Sequence, residues 1–67
     1  MKINPKVTLK KVTAAVRRAQ RSLDNPGFCI ACGEEAEGVE PDARGNECEH
    51  CGANKVYGAE ELLIELA

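Results

Sequence analysis

The chain of 67 residues contains no tryptophan and only one phenylalanine, one tyrosine and one histidine. Proteins that hold single-stranded nucleic acid stack bases on several aromatic rings in succession. Phe28 and Tyr57 offer no such row, so packing beneath a metal site is their expected role. Long apolar runs are also missing, and none approaches the roughly 20 residues of a membrane-spanning helix. The opening Met1-Lys2-Ile3-Asn4-Pro5-Lys6 is polar and basic rather than the apolar core of a secretion signal, so a cytoplasmic setting and reduced cysteines are expected. Large apolar side chains are scarce between Pro26 and Tyr57, where Phe28, Ile30, Val39, Val56 and Tyr57 are all there is. Below roughly 70–80 residues a core seldom supplies more than about 3–5 kcal/mol, so the fold needs another source of stability. Acids are wholly absent from residues 1–23, which carry seven basic side chains, whereas residues 24–67 hold all eleven acids against Arg44 and Lys55. That division of charge bears on partners rather than on fold.

Four cysteines stand in two matched pairs, Cys29-Ile30-Ala31-Cys32-Gly33 and Cys48-Glu49-His50-Cys51-Gly52. Two thiolates separated by two residues in a tight turn can point at one centre, and two such turns offer the tetrahedral four-sulfur shell that suits Zn²⁺. Gly33 and Gly52 stand where such a turn ends most easily in a residue that accepts positive φ. Fifteen residues separate Cys32 from Cys48, within the spacing read as a zinc site. Disulfides suit secreted chains, and a redox C-x-x-C belongs after a buried strand in a βαβ unit; neither setting is present. His50 lies between two ligand cysteines and is expected to point outward. A structural zinc ion contributes on the order of 10–16 kcal/mol in comparable peptides, so metal binding and folding should be one event.

Around the cysteines the pattern predicts short elements. Thr8 can cap a helix starting at Leu9. Leu9, Val12, Val16, Ala19 and Leu23 then fall within about 80° of one another on a helical wheel, while Lys10, Lys11, Arg17, Arg18 and Arg21 occupy an arc of about 120° opposite. Asp24-Asn25-Pro26-Gly27 ends the helix by turn chemistry. Strands are expected at Phe28–Ile30, Glu37–Glu40, Asn46–Cys48 and Lys55–Tyr57, with a turn over Pro41–Gly45. A helix over Ala59–Leu66, with Glu60 and Glu61 in its first turn, would bury Leu62, Leu63 and Leu66 against Leu9, Val12 and Val16.

FCIACG followed by CEHCG resembles the zinc-ribbon, or rubredoxin-like, group, in which two cysteine knuckles on short antiparallel strands clamp one metal. The likeness covers roughly Phe28 to Tyr57 and implies fold more than function. With its basic N-terminal helix and VYGAEELL ending, the layout is similar to small prokaryotic and phage proteins with no assigned role. Rubredoxins usually have proline in the second knuckle, a longer separation of the pairs and an aromatic core; Glu49-His50, the fifteen-residue gap and two aromatics depart from all three. Electron transfer through iron is thus a remote alternative. The expected architecture is a small metal-stabilised α+β unit: a basic extension and amphipathic helix over 1–25, a zinc ribbon over 26–58 and a short C-terminal helix over 59–67. Glu34, Glu35, Glu37 and Glu40 read as a solvated face, with no nucleophile or open metal position to suggest an enzyme. Docking on another protein is the first functional reading. Nucleic-acid binding through Lys10, Lys11, Arg17, Arg18 and Arg21 is the alternative, and the net charge of −2 argues against it. A membrane partner is not expected, because the apolar face of the first helix lacks tryptophan and phenylalanine.

Overall fold

The structure is a computed structural model that describes residues 2–22 and 25–67; Leu23, the last member of the expected stripe, and Asp24, the first residue of the expected turn, lie outside the described residues. The first helix, α1, covers Leu9–Arg21, and Oγ1 of Thr8 accepts a hydrogen bond from the Lys11 amide at 3.2 Å. This satisfies one of the amides that a helix start leaves without an intrahelical partner. Val12, Ala15 and Val16 are the buried residues of α1. Leu9 does not head that stripe as expected, being 46% exposed. Val7, just before the cap, is buried in the same cluster as Val12. These two residues form the hydrophobic staple across the cap, which fills the interior at the helix entry and leaves Leu9 outside.

Four short strands, β1 (Gly27–Cys29), β2 (Glu35–Ala36), β3 (Asn46–Glu47) and β4 (Asn54–Gly58), form an antiparallel sheet in the order β2-β1-β4-β3. The expected strand over Glu37–Glu40 is absent, and pairing falls earlier, at Glu35–Ala36. Ala36 pairs with Gly27, the first residue of β1, and the ladder has nowhere to continue because the preceding Pro26 lacks an amide hydrogen. Val39 instead turns inward and donates its amide to the Asn25 carbonyl at 2.7 Å.

Phe28 pairs with Tyr57 and Cys29 with Val56 across β1 and β4. Alternation along a strand therefore sets the aromatics on one face and the cysteine on the other. On the aromatic face Phe28 and Ile30 pack with Val12, Ala15 and Val16 of α1 and with Ala59 and Leu62 of the second helix, α2 (Ala59–Leu66). Cys29, Cys48, Val39 and Val56 make a second, smaller cluster. Phe28 and Tyr57 thus support the helices rather than lying beneath the cysteines as the sequence suggests. The helix α2 starts directly after β4 without a side-chain cap. Its first amides are held by chain folded over its start: Ala59 donates to the Pro26 carbonyl at 3.1 Å and Glu61 to the Pro41 carbonyl at 3.2 Å. The same loop supplies Arg44, which pairs with the buried Glu61 carboxylate.

Candidate metal centre

The two cysteine turns have the same backbone wiring. The Cys29 amide donates to the Glu34 carbonyl at 2.9 Å and the Gly33 amide to the Cys29 carbonyl at 2.8 Å; in the second turn Cys48 donates to Ala53 and Gly52 to Cys48, both at 2.8 Å. The Cys32 amide points at Cys29 Sγ at 3.5 Å, and the Cys51 amide at Cys48 Sγ at 3.4 Å. Each turn closes on a glycine in the left-handed region, with φ of 84° at Gly33 and 81° at Gly52. Residues with a Cβ resist that conformation.

Across the two turns, Cys29 Sγ lies 3.6 Å from Cys51 Sγ and Cys32 Sγ lies 3.7 Å from Cys48 Sγ; all four sulfurs are within 4.8 Å of one another. A tetrahedral centre with metal–sulfur bonds of about 2.3 Å has sulfur–sulfur edges of about 3.8 Å. A disulfide would need about 2.05 Å, and all four cysteines are free. The four cysteines are placed to bind one metal ion. The chain matches no protein-family model, no curated protein and no solved structure.

The thiols have unequal proton affinities. The Cys51 amide, helped by the His50 amide and working against burial, pulls the Cys48 thiol down from 9.0 to about 6. At Cys32 the Glu34 amide pulls downward but is outweighed by desolvation and by the thiols of Cys29, Cys48 and Cys51, so its pKa rises to about 12. Cys51 is also raised: the Ala53 amide lowers it, while desolvation and the Cys29 and Cys48 thiols push it up. One sulfur ionises readily and discourages its neighbours from doing the same, because like charges this close cannot all be carried without a counter-ion. A divalent cation would supply that counter-charge and allow four thiolates to coexist.

His50 is exposed and stands outside the four-cysteine group. Lys10, Lys11, Arg17, Arg18 and Arg21 all lie on the exposed side of α1. They are not equivalent. Arg18 reaches across to the sheet and pairs with Glu35 of β2, with Glu37 at 3.8 Å. Among the described residues, Lys10, Lys11, Arg17 and Arg21 form no ion pair. Glu34, Glu35, Glu37, Glu47 and Glu49, with His50, border an open groove of about 590 Å³ beside Cys48.

Asn4 supports the centre in a way the sequence alone does not suggest, since Asn4-Pro5 reads there only as a helix breaker. Its amide donates to the Ile30 carbonyl at 2.8 Å and its Nδ2 to the Ala31 carbonyl at 2.9 Å. Its Oδ1 accepts from the Lys6 amide at 2.9 Å, and its carbonyl from the Val7 amide at 2.9 Å. The N-terminal segment is thereby tied to the residues between Cys29 and Cys32. An asparagine before proline is a turn signal, but nothing local announces a partner so far along the chain.

Proposed function

We propose that the protein is a zinc ribbon, in which Cys29, Cys32, Cys48 and Cys51 bind one structural Zn²⁺ and hold a small non-catalytic module that docks on another protein. The observation that carries the reading is the four-sulfur cluster, all within 4.8 Å of one another, whose two shortest cross-turn edges of 3.6 and 3.7 Å are close to those of a zinc tetrathiolate. With four protein ligands the ion has no open position for water or substrate, which is the arrangement of a structural site. Sustained thiolate ligation fits a reducing compartment such as the cytoplasm. Ionised, the four sulfurs with one divalent cation add net negative charge to an already acidic half of the chain, and such a surface steers association with a basic protein partner.

A second reading is favoured by one observation, the exposed row of Lys10, Lys11, Arg17 and Arg21, which could follow nucleic-acid phosphates. Arg18 is drawn toward Glu35 and Glu37 and contributes less to such a row. A mobility-shift titration across salt distinguishes the two readings. Docking on protein predicts weak retention of DNA or RNA that changes little in R17E/R21E. Tight binding with a salt slope of about −3 to −4, from roughly 0.9 for each of four neutralised phosphates, and its loss in R17E/R21E, would replace docking by nucleic-acid binding.

A further inference from the structure

Beside the first cysteine turn, the N-terminal segment and β4 border an open, largely apolar groove of about 610 Å³. Ile3, Pro5, Ile30, Ala31 and Tyr57 line it, with Lys2 and Lys55 as its charged members. Neither lysine forms an ion pair among the described residues. The groove therefore asks for an aliphatic side chain flanked by acids. The chain itself carries such a group on a different surface. Ile64 on α2 is 72% exposed, while every other large hydrophobic side chain described except Leu9 is at least partly covered. Exposed Asp42 and Glu60 border one shallow depression with Ile64, and exposed Glu65 follows Ile64 on α2. The groove and the Ile64 surface share no residue, so both are available at once.

We infer that the groove receives Ile64 of a second copy of this chain, with the acids beside Ile64 facing Lys2 and Lys55. The inference names a partner for the docking role proposed above, and uses a surface in which no cysteine takes part. Contacts of this small size fall at the weak end of protein association, well below the roughly 1,200 Å² of standard interfaces. Assembly should accordingly appear at high concentration and decline with added salt, because opposite charges flank the apolar contact. The contact can be made reciprocally in a dimer or repeated head to tail; either form depends on the same two surfaces.

Sedimentation equilibrium of the full metal-loaded chain from about 10 µM to about 1 mM tests it. The weight-average mass should rise with concentration, and Ile64→Asp should weaken that association by roughly tenfold or more, the effect of withdrawing one aliphatic side chain from burial. Two charge-reversed variants give a stricter test. K2E/K55E and E60K/E65K should each remain monomeric, and their equimolar mixture should regain assembly, since each groove then meets a knob of opposite sign. Metal content and melting temperature measured on every variant separate loss of this contact from loss of the metal-held fold. A mass that stays monomeric over the whole range, an assembly that survives Ile64→Asp, or a mixture that does not reassemble would each overturn the inference.

Discussion

Replacing Gly58 by alanine should damage the protein without touching the cysteines. Gly58 has φ −65° and ψ 152°, a conformation open to alanine, so on backbone grounds the change would stabilise by about 0.4–1 kcal/mol through a less flexible unfolded chain. The surroundings reverse the sign. A Cβ at this position would sit 2.2 Å from the Glu40 carbonyl oxygen and 2.3 Å from that of Pro41, where ordinary contact begins near 3.4 Å. Both obstacles are backbone, so the loop over 40–44 has to retreat from the start of α2. That retreat breaks the bonds from the Gly58 amide to the Ala43 carbonyl and from the Glu61 amide to the Pro41 carbonyl, each worth about 1 kcal/mol. It also draws Arg44 from the buried Glu61 carboxylate, leaving an acid short of its partner at about 1–3 kcal/mol. After the entropic gain, a net loss of about 2–4 kcal/mol remains, or a fall of about 8–32 °C in Tm at roughly 4–8 °C per kcal/mol for a domain this small. Circular-dichroism melts of parent and G58A at equal, measured metal content read this directly. A G58A Tm within about 3 °C of the parent, with metal retained, would refute the packing described for the loop.

Other substitutions probe separate parts of the structure. Leu62→Ala removes a side chain of 0% exposure between the helices and the sheet, and denaturant titration should show a loss of about 2–5 kcal/mol with metal stoichiometry unchanged; a loss under about 1 kcal/mol would contradict the helix packing. Thr8→Ala, which deletes the hydroxyl acceptor of the Lys11 amide, should cost about 1 kcal/mol in the same assay, and Thr8→Ser should recover most of it. The cysteine titrations set the pH dependence. In the folded geometry, before any metal is counted, Cys48, lowered from 9.0 to about 6, makes a contribution that is full above about 9 and lost as pH falls through about 6. Cys32, raised to about 12, adds stability that is full below about 9 and lost as pH rises through about 12. At pH 7 Cys32 and Cys51 hold their protons, and a metal that needs thiolates must displace both. Zinc calorimetry in buffers of different ionisation enthalpy should therefore report a proton from each, with affinity falling as the solution is acidified. Binding without proton release would contradict the thiolate shell.

Local chemistry made much of this legible in the sequence. The C-x-x-C-G repeats identify four cysteines that the fold gathers within 4.8 Å, because each turn is closed by bonds between near neighbours. The helix α2 covers Ala59–Leu66 and Thr8 caps α1 as the sequence suggests, since caps and apolar periodicity act within a few residues. What escaped depends on distant chain. Val7 in place of Leu9 is decided by which residue the sheet and α2 leave room for, which a helical wheel does not contain. The strand at Glu35–Ala36 rather than Glu37–Glu40 is decided by where β1 begins after Pro26. Phe28 faces the helices because of strand parity set by Cys29 and its pairing with Val56. The basic arc of α1 was visible as a pattern, but the engagement of Arg18 with Glu35 and Glu37 required the sheet to be placed beside the helix.

The most direct test of the central claim is native mass spectrometry of the reduced chain before and after chelation, with the metal identified by elemental analysis. One zinc ion per chain and a narrow, low charge-state distribution are predicted, changing to a broad, high-charge distribution when the ion is withdrawn. A metal-free chain that keeps the same compact distribution would contradict the claim that a four-cysteine metal centre holds this fold together.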